Sequence, residues 1–314
     1  MSDLVGTSIP EFPQFRSNVS APHYVLPPGS WDTAAHVYGP LERYPLKPGQ
    51  KRFSPPLAAT LPALTALHDV LGIARGVLVQ PTSYGSDHRA LVDSLLSAKG
   101  RYVGVALVDE GISDVELVDL HAAGVRGARF NLVTWLVEPM LISEVRKQAH
   151  RVAELGWCTA IHIDSEVLLA REAELATIEG QVCIDHIAHL SPASPDYAAG
   201  LAALGRLLER PNFWLRLSNV DRVSRLNSTY SDMLGHIRTV HALAPDRVVW
   251  GTDWPHVFYR KPRMVDDADL VDLLAVALAE QDLRRILVEN PLRLYAGAAS
   301  QGDVASTGSA PANG

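Results

Sequence analysis

The feature that most constrains this chain is an eightfold alternation of short apolar runs with longer stretches of helical period. The runs are Trp31–Val37, Gly76–Gln80, Val103–Val108, Val125–Asn131, Cys158–Ile163, Val182–His186, Phe213–Ser218 and Arg247–Gly251. They have the length and composition of buried strands. Between them, Leu61–Leu71, Asp87–Lys99, Asp114–Ala123, Ser143–Leu155, Ala198–Leu208 and Ser231–Ala244 carry an apolar residue at nearly every third or fourth position, which gives a helix one buried face. Glycines follow several of these at Gly72, Gly100, Gly124 and Gly156, where helices commonly end. Apolar strands separated by helices form a parallel sheet, and eight repeats specify an α/β chain folded as a (β/α)8 TIM barrel. A doubly wound open sheet is the alternative, but no Gly-rich dinucleotide loop follows the first strand.

With 314 residues, 47% of them hydrophobic, the chain has the mass for a single such domain. Residues 1–30 are proline-rich and aperiodic and read as an N-terminal arm, 31–297 as the barrel, and 298–314 as a disordered tail with too little apolar mass to offset its ordering entropy. A net charge of −7 gives no basic footprint for nucleic acid or an anionic membrane, although a local cationic pocket is compatible with it. Met1 to Ser30 lacks the pattern of a signal peptide, and no apolar run reaches membrane-spanning length, so a soluble cytoplasmic protein is expected. Cys158 and Cys183 sit inside apolar runs without metal or redox spacing and read as buried thiols.

In such a barrel the carboxyl ends of the strands form the catalytic mouth. Gly251-Thr252-Asp253-Trp254-Pro255-His256 sets an acid straight after the last run. The other strand ends offer His36; Gln80 with Ser83 and Tyr84; Asp109; Arg129 and Asn131; His162 and Asp164; Asp185, His186 and His189; and Arg216, Ser218 and Arg222. Histidines and an aspartate on separate strands, beside cations, point to one proton-transfer site that handles an anion. Arg129 is flanked by Ala128 and Phe130, which face the other way, and a lumen arginine needs an anion. Structural readings stand beside these: Arg216 and Arg222 as surface partners of Asp221, Tyr84 as a turn cap, and Asp32 as a holder of Arg129 or of a backbone amide. The chain has no GxSxG elbow, P-loop, GxGxxG or HExxH.

Taken together, Asp32 through His36 followed by Val-Tyr-Gly-Pro, Arg75–Pro81, Gly127–Asn131, Ile184–His186, Trp250–His256 and Asn290–Tyr295 resemble the amidohydrolase-2 branch of the amidohydrolase superfamily, and most closely its lactone hydrolases. The resemblance implies a (β/α)8 barrel that hydrolyses a lactone, with Asp253 as general base and histidines beside it. It also implies a substrate arginine at Arg222. Two departures bear on the site. Ala34 stands where the family places the first of two strand-one histidines, and Leu132–Trp135 replaces a stretch holding a second basic residue.

These features give a reading in which Asp253, His36 and His186 are catalytic, and Arg129, Arg222, Tyr84, Ser83, His162, Asn131 and His256 bind substrate. The expected partner is a small-molecule anionic lactone, related to a pyrone dicarboxylate or a muconolactone, with self-association into a homo-oligomer left open. No cofactor or metal is expected, because Ala34 removes one of the imidazoles that would hold a divalent ion. The alternative is one zinc ion on His36, His162, His186 and Asp253, if Ala34 is not the native residue. A metal-independent lactone isomerase and a non-catalytic ligand-binding barrel are the rival functions.

Overall fold

Eight parallel strands, each hydrogen-bonded to its neighbour in chain order, carry the whole architecture: β1 Trp31–Ala35, β2 Arg75–Val79, β3 Tyr102–Leu107, β4 Val125–Asn131, β5 Cys158–His162, β6 Val182–Ile184, β7 Phe213–Leu217 and β8 Val248–Trp250. This computed structural model describes residues 15–48, 56–136 and 139–295. The expected tail, 298–314, lies outside the described residues, as does the start of the arm.

Consecutive strand order excludes an open doubly wound sheet, and β1 meets β8 to close the ring. The seam is made less by a regular ladder than by particular groups. His36 N donates to Trp254 O at 2.7 Å, Asp253 N to Ala34 O at 2.8 Å, and Thr33 Oγ1 to Trp250 O at 2.7 Å. Asp32 completes it. Its carboxylate accepts from Ala34 N and Thr252 N at 3.0 Å each and from Thr252 Oγ1 at 2.6 Å, and it lies 3.2 Å from His68 Nε2. Asp32 therefore fastens the seam and does not hold Arg129. Gly251 permits this close approach, because a Cβ there would stand 2.7 Å from Ala34 N and 3.0 Å from Asp32 Oδ1.

Helices α1 Leu61–Leu71, α2 Arg89–Ser97, α3 Asp114–Ala122, α4 Ile142–Glu154, α5 Ser165–Leu175 and α6 Tyr197–Leu208 follow strands one to six in turn. The short α7 Val220–Val223 and α8 Leu234–Leu243 follow β7, and α9 Asp267–Ala277 follows β8. The boundaries match the helical period to within about three residues. Gly72 ends α1 in the left-handed region, φ 79°, where its N–H reaches His68 O. Helix α9 escapes the periodicity because it is covered nearly all round. Its inner residues pack on the barrel, while Ser20 and Arg16 reach Asp266, and the backbone N–H groups of His23 and Tyr24 donate to Asp272.

Alternation along each strand divides its side chains between two cores. One set meets the helices. The other fills the lumen with Val77, Val79, Val103, Val105, Cys158, Ala160, Cys183, Trp214 and Val249. Both cysteines are buried and reduced, as expected, and burial pushes the Cys183 thiol up to about 12. Tyr295 closes the amino-terminal end of the lumen, stacked on Trp31 with centroids 6.3 Å apart. Among the described residues no helix is long and apolar enough to cross a membrane.

Candidate active site

The lumen parity that buries valines low in the barrel brings polar side chains to its carboxyl end. Here a solvent-open pocket encloses about 520 Å³ of atom-free space. Its floor is His36, Arg129, His162, His186, His189, Arg222 and Asp253, and its upper wall includes Tyr38, Pro81, Trp135, Leu136, Val257 and Phe258. Ser83, Thr82 and Asn219 also line it.

Asp253 sits at the centre. It follows β8 with φ 63°, a conformation costly for a residue other than glycine, and this turns the carboxylate into the pocket. Its Oδ1 is 3.3 Å from His36 Nε2 and 3.8 Å from His186 Nε2, and its Oδ2 accepts from Arg222 Nη2 at 3.0 Å. Burial alone would raise the carboxyl. The nearness of His186, the hydrogen bond from His36 and the charge of Arg222 outweigh burial and hold it well below the usual carboxylate range.

Hydrogen-bond partners fix the imidazoles. His36 Nδ1 lies 2.7 Å from Val79 O, which can only accept, so Nδ1 carries a proton, and the hydrogen bond from Nε2 to Asp253 takes a second one. His186 Nε2 receives Arg129 Nη2 at 3.1 Å, so its proton is on Nδ1, which donates to Ser218 Oγ at 2.7 Å. Burial, only partly opposed by Asp253 and Asp185, pushes His186 down to about 3. It is neutral at neutral pH, and Arg222 is the permanent cation on Asp253. His186 Nε2 therefore accepts a hydrogen bond here, and Arg129 is the donor of that pair. His162 and His189 join through their Nε2 atoms at 2.9 Å, and His162 Nδ1 donates to Asn131 Oδ1 at 3.0 Å. Burial lowers both, His189 to about 4.

His186 and His189 reach one pocket because residues 186–189 form a left-handed turn, with φ of 53°, 54°, 50° and 50°. Such a turn costs L-residues roughly 1–2 kcal/mol each. It brings the first and last of them together, ring centroids 5.4 Å apart. No strand or helix periodicity signals such a turn, and the sequence reading, which named His189 only as a strand-end group, did not assign it to the site.

Beneath the floor lies a buried ion cluster. Asp185 Oδ2 is 2.9 Å from Arg129 Nε, and Asp185 Oδ1 is in close contact with Arg216 Nη1. Arg216 also donates to Tyr295 Oη at 2.7 Å and to Thr33 Oγ1 at 3.3 Å. Arg216 is therefore no surface partner of Asp221, and the anion that Arg129 required is supplied by Asp185 at the end of β6, two strands along the barrel. Arg222 is held by Asp253, by Asn219 Oδ1 at 3.0 Å and by Val257 O at 2.9 Å.

Three expected substrate contacts fall outside the pocket wall. His256 is 1% exposed and bonded through Nε2 to Asp267 at 3.0 Å, because the loop turns it away from Asp253 into the core. Tyr84 is buried and accepts from Gly39 N at 3.1 Å, fixing the loop after β1. Asn131 lies behind His162 and orients it. Ser83 and His162 do line the pocket.

The zinc alternative would draw on His36, His162, His186 and Asp253. Among the described residues no group of three or more His, Cys, Asp or Glu side chains is arranged to hold a metal ion. Guanidinium groups already occupy two of the atoms an ion would need, His186 Nε2 and Asp253 Oδ2. A divalent cation would sit against two fixed positive charges.

The amidohydrolase family model matches residues 31–297. The chain is 38% identical to the 2-pyrone-4,6-dicarboxylate hydrolase of Comamonas testosteroni, across 89% of this chain and 94% of that protein. It is 33% identical to the 4-sulfomuconolactone hydrolase of Hydrogenophaga intermedia, across 87% and 90% respectively. An apo crystal structure of an Agrobacterium tumefaciens protein superposes with a TM-score of 0.79 at 29% identity, covering 90% of this chain and 98% of that one.

Proposed function

Because this chain belongs to the amidohydrolase family, we propose that it opens a small anionic lactone by hydrolysis, with Asp253 as the general base. The observation that carries the reading is Asp253 on the pocket floor, in contact with His36 and Arg222 and next to His186 and its partner Arg129. A buried carboxylate beside two guanidinium groups is suited to taking a proton from water while negative charge grows on a nearby carbonyl oxygen. The substrates named for both relatives, a pyrone dicarboxylate and a sulfomuconolactone, are lactones that bear acid groups.

In this mechanism Asp253 removes a proton from water and the hydroxide adds to the lactone carbonyl. Arg129 donates to the resulting oxyanion, and its pairing with Asp185 fixes its direction. Collapse of the tetrahedral intermediate breaks the ring C–O bond, and protonated Asp253 returns its proton to the departing ring oxygen. Arg222 links binding to chemistry. A substrate carboxylate that draws it away from Asp253 removes a cation from the base and strengthens it. The reaction runs on protein groups, which suits an ester because its leaving group is better than that of an amide.

A pH-indicator screen of acid-bearing lactones, with products analysed after reaction in 18O-labelled water, tests the reading. Hydrolysis places solvent oxygen in the product carboxylate. Turnover without label would make the chain an isomerase, and binding without turnover a ligand-holding barrel.

A further inference from the structure

The pocket does not end at its mouth. Trp135, His189, Arg222 and Phe258 line both the inner pocket and a second, outer space of about 980 Å³ of atom-free volume that also touches Arg260 and Lys261. Trp135 and Phe258 meet edge to face at the junction, ring centroids 5.7 Å apart at 82°. Trp135 is 43% exposed, so the pair forms an aromatic neck between the two spaces.

Beyond the neck cations outnumber carboxylates, with Arg260 and Lys261 facing Asp164. Arg260, Lys261 and Arg263 fall within four residues of a chain whose net charge is −7. Arg260 is exposed. Lys261 Nζ donates to Ser224 O at 2.9 Å and to Leu226 O, carbonyls that accept its hydrogen bonds without neutralising it. The carboxylate on this wall, Asp164, is engaged as the N-cap of α5, accepting from Val167 N at 2.9 Å. The sequence reading found no second basic residue on the strand-four loop, where Trp135 stands; the structure shows cations on the loop after β8 instead.

We infer that the outer space is a subsite for a second acidic group, carried on an arm of the substrate that passes the Trp135–Phe258 neck and is held by Arg260 and Lys261. The inference rests on the lactonase reading and deepens it. The preferred substrate is a lactone with a flexible acidic arm, not one whose only acid is attached directly to the ring. Cations in a solvent-open vestibule also raise the local concentration of such an anion, an effect that salt screens.

The test compares two butyrolactones, one with a single carboxylate on the ring carbon and one with that carboxylate and a second at the end of a three-carbon chain, using wild type and Arg260→Gln. The long-arm lactone should have the higher kcat/KM, with a steeper fall on adding salt. Arg260→Gln should lower its kcat/KM at least about tenfold more than that of the short one, the low end for a hydrogen bond to a charged group. Equal losses, or wild-type salt dependence that does not differ between the two, would overturn the subsite and leave the lactonase standing. If wild type turns over neither these lactones nor any in the wider screen, the lactone reading itself falls. The wild-type salt comparison needs no variant, so it decides the question even if Arg260→Gln is poorly folded.

Discussion

His36 stands between two oxygens, its Nδ1 2.7 Å from the Val79 carbonyl and its Nε2 3.3 Å from Asp253 Oδ1. The first contact needs the Nδ1 proton, so the imidazole turns Nε2 to the carboxylate and fixes where the acid points. If Asp253 is the base, Asp253→Asn keeps this packing but cannot take the proton. We expect a folded variant with turnover reduced at least about a hundredfold, the lower range for general-base catalysis. Near-normal turnover in folded Asp253→Asn would assign the base to another group.

Arg222 donates to Asp253 Oδ2 at 3.0 Å and helps hold that carboxyl low. Activity needs the ionised carboxylate, so it is lost as pH falls through the Asp253 pKa. Removing the cation with Arg222→Met raises that pKa, and the acid limb of the kcat/KM profile should move to higher pH. The variant should also raise KM more for an acidic lactone than for a neutral one. An unmoved acid limb would separate Arg222 from the base.

Asp185 is fully buried and faces both Arg129 and Arg216. Removing one partner of a buried ion cluster leaves uncompensated charge, at a cost of about 3–5 kcal/mol. Asp185→Ala should therefore lower the urea midpoint strongly, whereas Asp253→Asn should move it little. A loss of activity without loss of stability in Asp185→Ala would give this residue a chemical role.

Burial pushes His186 down to about 3 and His189 and His236 to about 4. An imidazole whose folded pKa lies below its unfolded value, about 6.5, binds fewer protons when folded. Its contribution to stability is therefore lost as pH falls from about 6.5 toward the folded value. At pH 5 each costs the fold about 2 kcal/mol. His256, raised overall because the pull of Asp267 outweighs burial, works in the opposite direction. The net expectation is a Tm several degrees lower at pH 5 than at pH 7. A Tm constant across that window would contradict neutral, buried histidines.

Guanidinium contacts at His186 Nε2 and Asp253 Oδ2 predict that lactone turnover survives dialysis against a strong chelator. Elemental analysis of the purified protein, with rates before and after chelation, checks this. A stoichiometric ion whose removal abolishes turnover would refute the metal-independent mechanism.

Local sequence determined the repeat and much of the mouth. Period two along β4 was enough to place Arg129 in the lumen between outward Ala128 and Phe130, and a strand ending at Trp250 was enough to carry Asp253 to the catalytic face. Partners were another matter. That Asp185 neutralises Arg129 and Arg216, that Arg222 bonds to Asp253, and that Asp32 fastens Thr252 across 220 residues all depend on which strand ends the closed ring brings together. The left-handed turn at 186–189 and the inward rotation of His256 depend on backbone angles that burial enforces and no periodicity reveals. Alternation decides only which face a side chain takes; which charge it meets there, and hence its protonation, is decided by the closed barrel.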